Sequence, residues 1–208
     1  MASILDGLAS QLQGDTLTQM SERLGTDEQT TAAAVSVALP VLLSGLSENT
    51  ATSVGAQSLG QALDSDHDGS LLDNLSAVIG GQSPGATPSR ALNAGGILGH
   101  IFGGRRQPVE QGIGRASGLN GQQVAQLMMM LAPIVMSYLG RQKRAQGMDS
   151  AGMGSVLREE TDEIERRAPG AGGILGQILG GGQGGSGAGL DDLARLGPSI
   201  LGSIFGRR

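Results

Sequence analysis

The stretch GTDEQTTAAAVSVALPVLLSGL (Gly25–Leu46) has a counterpart 93 residues later, GLNGQQVAQLMMMLAPIVMSYL (Gly118–Leu139). Aligned without a gap, the two stretches share six identical residues, and most other late positions are apolar in both. A proline inside a helix removes one hydrogen bond and clashes with the preceding turn. Its repetition at the same register predicts two similarly bent or broken helices. An internal duplication explains this better than chance identity between Ala- and Leu-rich helices. The identical pairs are Gly25/Gly118, Gln29/Gln122, Ala32/Ala125, Pro40/Pro133, Ser44/Ser137 and Leu46/Leu139.

The signals around these stretches are those of helices. Thr26-x-x-Gln29 and Asn120-x-x-Gln123 fit capping boxes, in which side chains satisfy the free N–H groups of a first turn. The second stretch is apolar nearly all round, which indicates burial. Alternating strand patterns are lacking elsewhere. Further helices are expected at Ala2–Gln13, Asp15–Leu24, Thr50–Leu63, Leu71–Ile79, Val109–Ala116 and Gly154–Arg167.

The sequence therefore predicts an all-α fold with two related helical units and a glycine-rich tail. We expect unit one at residues 1–80, a linker at 81–94, unit two at 95–168 and the tail at 169–208. The linker and the tail are assigned from their glycine, serine and glutamine content.

Composition narrows the function. The 208 residues include 37 glycines, three aromatic residues and no cysteine, so disulfides, thiolate metal sites and a cysteine nucleophile are excluded. The net charge of −5 argues against a general nucleic-acid binder. Residues 1–104 carry a net charge of −8 and residues 105–208 one of +3. These halves can attract each other, or each can simply be solvated. Since no catalytic motif is present, we expect a protein that is not an enzyme.

Export and membrane signals are not expected. Met1–Asp15 lacks the basic start and long apolar core of a secretory signal. The most apolar stretch, Val124–Leu139, is interrupted by Gln126, Pro133 and Ser137. It falls short of the roughly 18 to 20 apolar residues that cross a bilayer. These features predict a cytoplasmic protein without a transmembrane segment.

Three blocks of sequence carry a family resemblance: LDSDHDGSLLDNL (Leu63–Leu75), GGILGHIFGG (Gly95–Gly104) and VEQGIGRASGLNGQQVAQLMMMLAPIVMSYLG (Val109–Gly140). In order and spacing they resemble the YidB-like bacterial family catalogued as domain of unknown function 937, over roughly residues 20 to 160. The resemblance implies a small helical bacterial protein, some members being described as homeodomain-like, without an established activity. It supplies no catalytic residues.

The acidic run that begins at Asp64 resembles the start of an EF-hand loop, in which alternate aspartates and a glycine wrap a calcium ion. The match then fails, because position 12 of the loop is Leu75 and the bidentate glutamate is missing. The other interpretation is a turn whose last aspartate starts the following helix. Calcium is thus the candidate cofactor, and its candidate ligands are Asp64, Asp66, Asp68 and Asp73.

A helix-turn-helix is the second motif. Leu17–Leu24, Gly25 and a helix from Thr26 resemble the unit that presents a recognition helix to DNA. Recognition needs cations for the phosphates. The second helix instead offers Asp27, Glu28 and alanines, which favours a unit for protein–protein packing.

The third motif is a segment, ILGxI[F/L]G, that occurs at Ile97–Gly103, Ile174–Gly180 and Ile200–Gly206. Each copy spaces two glycines four residues apart, which lets helix backbones approach closely. The apolar residues would lie on one side of a helix. The copies either pack into the chain's own core or bind another copy. The candidate self-association residues are Ile97, Leu98, Ile101, Phe102, Ile174, Leu175, Ile178, Leu179, Ile200, Leu201, Ile204 and Phe205.

The function we expect first is a non-enzymatic bacterial scaffold, a homo-oligomer that associates through helical faces and the ILGxI[F/L]G segments. A calcium-responsive regulatory module that uses the aspartate loop is the alternative. A DNA-binding regulator is third, and no nucleic-acid partner is expected.

Overall fold

The structure is a computed structural model, and it describes residues 3–79 and 93–167. These residues form α-helices and two short 3₁₀ helices, and they contain no strand, so the predicted all-α class is confirmed. The helices are α1 (Ile4–Gln11), α2 (Asp15–Leu24), α3 (Glu28–Asn49), α4 (Ser53–Ser65), α5 (Leu75–Ile79), α6 (Ala94–Phe102), α7 (Arg106–Ser117), α8 (Gly121–Ala145) and α9 (Ser150–Arg167), with 3₁₀ helices at Ser70–Asn74 and Gly103–Arg105. The predicted tail and nearly all of the predicted linker lie outside the described residues.

Helices α3 and α8 contain the two matched stretches, and each continues through its proline. Of the two forms expected, bent or broken, the described helices exclude a break at Pro40 and Pro133. A proline leaves the carbonyl four residues earlier without its helical donor. Those carbonyls belong to Ser36 and Met129, which are both exposed, so water can satisfy them. Helices α3 and α8 can therefore remain continuous, because the carbonyls that lose a helical hydrogen bond belong to residues exposed to solvent.

Helix α8 has the predicted N-cap, Asn120, whereas the N-cap of α3 lies one residue after the predicted one. Asn120 and Gln123 form the expected capping box, with N–H···O distances of 2.9 and 3.1 Å. At α3 the cap is Asp27 rather than Thr26, and its carboxylate accepts the N–H of Thr30 at 2.8 Å. A carboxylate satisfies that N–H and also interacts favourably with the helix dipole.

Helices from residues 3–79 pack against helices from residues 93–167 around one core. Helix α3 contacts α7 and α9, while α8 contacts α2 and α4. The fully buried side chains accordingly come from both units, and fully burying each contributes about 1.5–3 kcal/mol. They include Leu39, Leu42, Leu43, Leu63, Leu98, Ile113, Leu127 and Met128.

The first helix is attached to the last one by Glu160, whose side chain is almost fully buried. Its carboxylate accepts the N–H groups of Ile4 at 3.0 Å and Leu5 at 2.9 Å, and it also bonds the Ser3 hydroxyl. These are the free donors of a first helical turn. Both ends of the described chain are therefore joined.

Helices α3 and α8 are long and apolar enough, by length and composition, to cross a membrane. The apolar stretch considered in the sequence, Val124–Leu139, is shorter than α8, which extends over 25 residues. In each helix, 72% of the most apolar window is buried inside the protein. That degree of burial is typical of core helices.

Candidate functional site

A cleft of about 440 Å³ opens between α3, α4, α6 and α8, and both histidines of the chain line it. Its volume lies within the range of about 300–1,000 Å³ that is usual for ligand pockets. Apolar side chains are mixed with a few polar ones. The lining residues are Leu46, Asn49, Gly55, Ser58, Leu59, Ala62, Asp66, His67, Asn93, Gly96, Ile97, His100, Ile101 and Met136.

The α6 wall of the cleft is held against α3. The amide of Asn49 donates to the carbonyls of His100 at 3.1 Å and Ile101 at 2.8 Å, which lie in the last turn of α6. A β-carbon on Gly45 would lie 2.7 Å from side-chain atoms of Ile101 and Phe102. Only glycine allows the two helices to approach this closely at that point. The wall is thus fixed by both a polar and a steric contact.

His67 lies at one end of the cleft and is 3% exposed. Its Nδ1 atom has no hydrogen-bond partner among the described residues. Burial lowers the pKa of the imidazole, and the neighbouring Asp66 and Asp68 oppose this shift only in part. His67 is therefore neutral at neutral pH.

The cleft's charge comes from Asp66, which follows α4 and lines the opening. Among the described residues, none forms a hydrogen bond or ion pair with the Asp66 carboxylate. The carboxylates of Asp64, Asp68 and Asp73, in contrast, all have such partners. An apolar floor beside an unpaired carboxylate suits an apolar group that carries a cation. The sequence singled out Asp66, Ile97 and Ile101 for other roles, but it did not predict that they line one cleft with the two histidines, which are 33 positions apart.

Three of the four predicted calcium ligands, all except Asp66, are engaged in other ways. Asp64 accepts a hydrogen bond from Lys143 Nζ at 2.6 Å, and Asp73 pairs with Arg141 at 2.6 Å. Asp68 accepts the N–H of Ser70 at 2.9 Å and its hydroxyl at 2.5 Å, which lowers the pKa of its carboxyl. Within residues 3–79 and 93–167, no three His, Asp or Glu side chains are grouped so as to hold a metal. The loop thus has the geometry of the turn interpretation.

The first ILGxI[F/L]G segment forms α6. Leu98, Ile101 and Phe102 are at most 5% exposed and belong to the core, while Ile97 is half-buried and lines the cleft. Leu98 and Phe102 therefore take a core role, because they already pack within the chain, whereas Ile101 both packs in the core and lines the cleft. Of the other predicted residues, Ile174, Leu175, Ile178, Leu179, Ile200, Leu201, Ile204 and Phe205 lie outside the described residues.

The glycine spacing of this segment does not bring helices together. A β-carbon on Gly99 would meet no described atom within 4 Å. Gly103 has a φ of +52° and follows the end of α6. Within the described chain no helix approaches closely at these glycines, because Gly99 faces open space and Gly103 follows the end of α6.

The helix-turn-helix order is present, with Gly25 in the left-handed conformation between α2 and α3. Helix α3, however, is the core helix of unit one, and most of its later residues are buried. A recognition helix must expose side chains to the groove of DNA. The geometry therefore suits packing within the protein.

Comparison with known proteins gives one match. A family model described as bacterial protein of unknown function (DUF937) matches residues 6–142, which is more than half of the chain. No curated protein and no solved structure matches the chain. The matched range contains the helices from α2 to α7 and most of α8. The chain therefore belongs to the DUF937 family of bacterial proteins of unknown function.

Proposed function

We propose that this protein is a non-enzymatic bacterial scaffold of the cytoplasm that associates with further copies of itself through its tail. The observation that carries the proposal is the burial of α6. Three apolar side chains of this ILGxI[F/L]G segment are placed in the core, and residues 169–208 contain two more copies of it. Because α6 already occupies its own position in the core, the additional copies need other apolar surfaces.

The energetics favour association that uses several copies at once. Each segment has four large apolar side chains, and fully burying one contributes about 1.5–3 kcal/mol. Ordering the backbone opposes this by about 1–2 kcal/mol per residue, so one copy alone binds weakly. A second contact in the same pair of chains is effectively intramolecular, which raises the overall affinity.

An internal duplication accounts for the paired architecture on which the scaffold is built. The offset of 93 residues also relates α1 to α6, since Ile4 and Leu5 correspond to Ile97 and Leu98. The left-handed glycines after α2 and α7 also keep this offset. Ser44 and Ser137, a matched pair, both have buried hydroxyls without a partner in the described part of the chain. We infer that each half arose from one ancestral helical unit.

The test is the oligomeric state of the full chain, measured by analytical ultracentrifugation over a range of concentrations. Changing Ile200, Ile204 and Phe205 together to serine removes three of the four anchors of the last segment. We expect this variant to shift toward monomer, with its helical content unchanged by circular dichroism.

A matched control changes Leu190, Leu193 and Leu196 together to serine, which removes the same number of apolar side chains from the tail. This control keeps the wild-type oligomer if the ILGxI[F/L]G segments are responsible. A wild type that stays monomeric at high concentration, or an oligomer that neither change affects, contradicts the proposal.

A further inference from the structure

We propose that the cleft between α4 and α6 is the docking site for residues Ile200–Gly206 of a second copy of this chain. This inference rests on the proposed self-association and assigns its surface. The cleft supplies an apolar floor from four helices, which includes Leu46, Leu59, Ile97, Ile101 and Met136.

The occupant is identified by its likeness to α6. Ile200–Gly206 and Ile97–Gly103 are identical at six of seven positions, and a pair of arginines follows each. Helix α6 therefore shows how this chain binds such a sequence: Leu98, Ile101 and Phe102 insert between core helices. A second segment of the same chemistry needs an apolar recess of similar character, and the cleft lies directly beside α6.

Charge complementarity favours the same occupant. Arg105, which follows α6, pairs with Glu48 of α3 at 2.7 Å. Arg207 and Arg208 follow the tail segment directly, whereas Gly104 separates the first segment from Arg105. The carboxylate of Asp66, in the lining of the cleft, has no ion-pair partner among the described residues. It can accept one of these arginines.

Other segments of the chain fit less well. The copy at Ile174–Gly180 lacks a phenylalanine, and glycines rather than arginines follow it. Residues 80–92 contain a single large apolar residue, Leu92. The tail segment can also reach a neighbouring copy, because the 32 residues between 167 and 200 span up to about 110 Å when extended.

Photo-cross-linking of the full chain tests the site directly. We would incorporate p-benzoylphenylalanine in place of Phe205 and mix this chain with ¹⁵N-labelled chain of the natural sequence. After irradiation, mass spectrometry identifies the linked peptides. We expect links from position 205 to labelled peptides that contain Met136 or Ile97.

The isotope label separates failure of the site from failure of the proposed function. Links to other parts of the labelled chain overturn the cleft as the site and leave self-association standing. Links confined to unlabelled cleft peptides, with none to the labelled chain even when that chain is in excess, are intramolecular and overturn self-association. A monomer without any link overturns both.

A substitution on the wall of the cleft provides a second test. Ser58 is exposed and lines the cleft, so Ser58→Trp fills it without disturbing the core. The matched control is Gln57→Trp, at the neighbouring exposed position of α4 outside the lining. We expect Ser58→Trp to weaken association about tenfold or more, equivalent to about 1.4 kcal/mol. Equal association of both variants would overturn the proposal.

Discussion

The backbone carbonyl of His67 occupies the position that a β-carbon would take on Gly140. A glycine inside a helix ordinarily costs about 1 kcal/mol relative to alanine. In α8 it allows the loop after α4 to lie directly on the helix. Arg144 strengthens the same contact, because it donates to the carbonyl of Leu63 at 3.0 Å and that of Asp64 at 3.1 Å. His67 can therefore take its position in the cleft only because residue 140 of α8 is glycine, which has no side chain.

Gly140→Ala should therefore destabilise the protein, although alanine is the better helix former. The new methyl group meets backbone rather than a movable side chain, so we expect a loss of about 1–3 kcal/mol in the free energy of unfolding. Urea denaturation measures this loss. Gly99→Ala is the control in α6, where a β-carbon meets no described atom within 4 Å. That change should stabilise by about 0.5–1 kcal/mol, and equal effects of the two would contradict the close contact.

The sequence predicted the helices well where a periodic pattern has clear ends. Helix α2 has the predicted boundaries, Asp15–Leu24, because a left-handed glycine stops it. The start of α3 was predicted one residue early. Thr26 and Asp27 are both good caps, and sequence alone did not separate them. The choice between neighbouring caps depends on which residue's side chain reaches the free N–H groups of the first turn.

The observed cap can be tested with the two neighbouring residues. Asp27→Ala should lower the free energy of unfolding measurably, because the N–H of Thr30 loses its acceptor. Thr26→Ala should have a much smaller effect. The hydrogen bonds from Thr30 lower the pKa of the Asp27 carboxyl, so the cost of Asp27→Ala should diminish as pH falls below about 4. A larger cost for Thr26→Ala in thermal or urea unfolding would show that the helix starts earlier.

The aspartate loop offers a comparison between two ion pairs. Lys143 is 8% exposed as a residue, and its ammonium donates to Asp64, whereas Arg141 and Asp73 are both largely exposed. Asp64→Asn should cost about 1–2 kcal/mol, because the buried ammonium loses its charged partner. Asp73→Asn should cost less than about 1 kcal/mol, as is usual for exposed pairs. Urea denaturation of the two variants would measure both losses in the free energy of unfolding.

Calcium binding is a further test of the loop that contains Asp64, Asp66 and Asp68. Because Asp64 and Asp68 already bond protein groups, we expect no heat of binding at millimolar Ca²⁺ in titration calorimetry. Binding that Asp66→Ala abolishes would contradict this expectation. It would show that calcium competes successfully with Lys143 and Ser70 for the carboxylates.

The cleft lay beyond what the sequence could predict. Its floor combines residues of α3, α4, α6 and α8, and of these only Ile97 and Ile101 were singled out, as candidate self-association residues. The ILGxI[F/L]G pattern identified Ile97 and Ile101 as important apolar residues. It did not distinguish Ile101, which is almost fully buried, from Ile97, which remains partly exposed. That distinction depends on which neighbouring helices cover α6.

The protonation of His67 gives a last prediction. Burial lowers the pKa of this imidazole in the folded state, whereas the unfolded chain has the ordinary value of about 6.5. Below about pH 6.5 the unfolded state therefore binds a proton that the folded state does not. The free energy of unfolding should fall as the pH decreases from 7.5 to 5, by up to about 1.4 kcal/mol per pH unit.

Urea denaturation at intervals across this range measures the slope, and staying above pH 5 leaves the ordinary carboxyl groups ionised. His67→Gln removes the titrating group and should flatten the profile, even if it also lowers stability at pH 7.5. The control is His100→Gln, which removes the other histidine that lines the cleft and leaves His67 in place. A slope that persists in His67→Gln would mean that His67 is not the buried neutral group. The measurement thus tests the packing of the loop on Gly140 by a route independent of the glycine substitution.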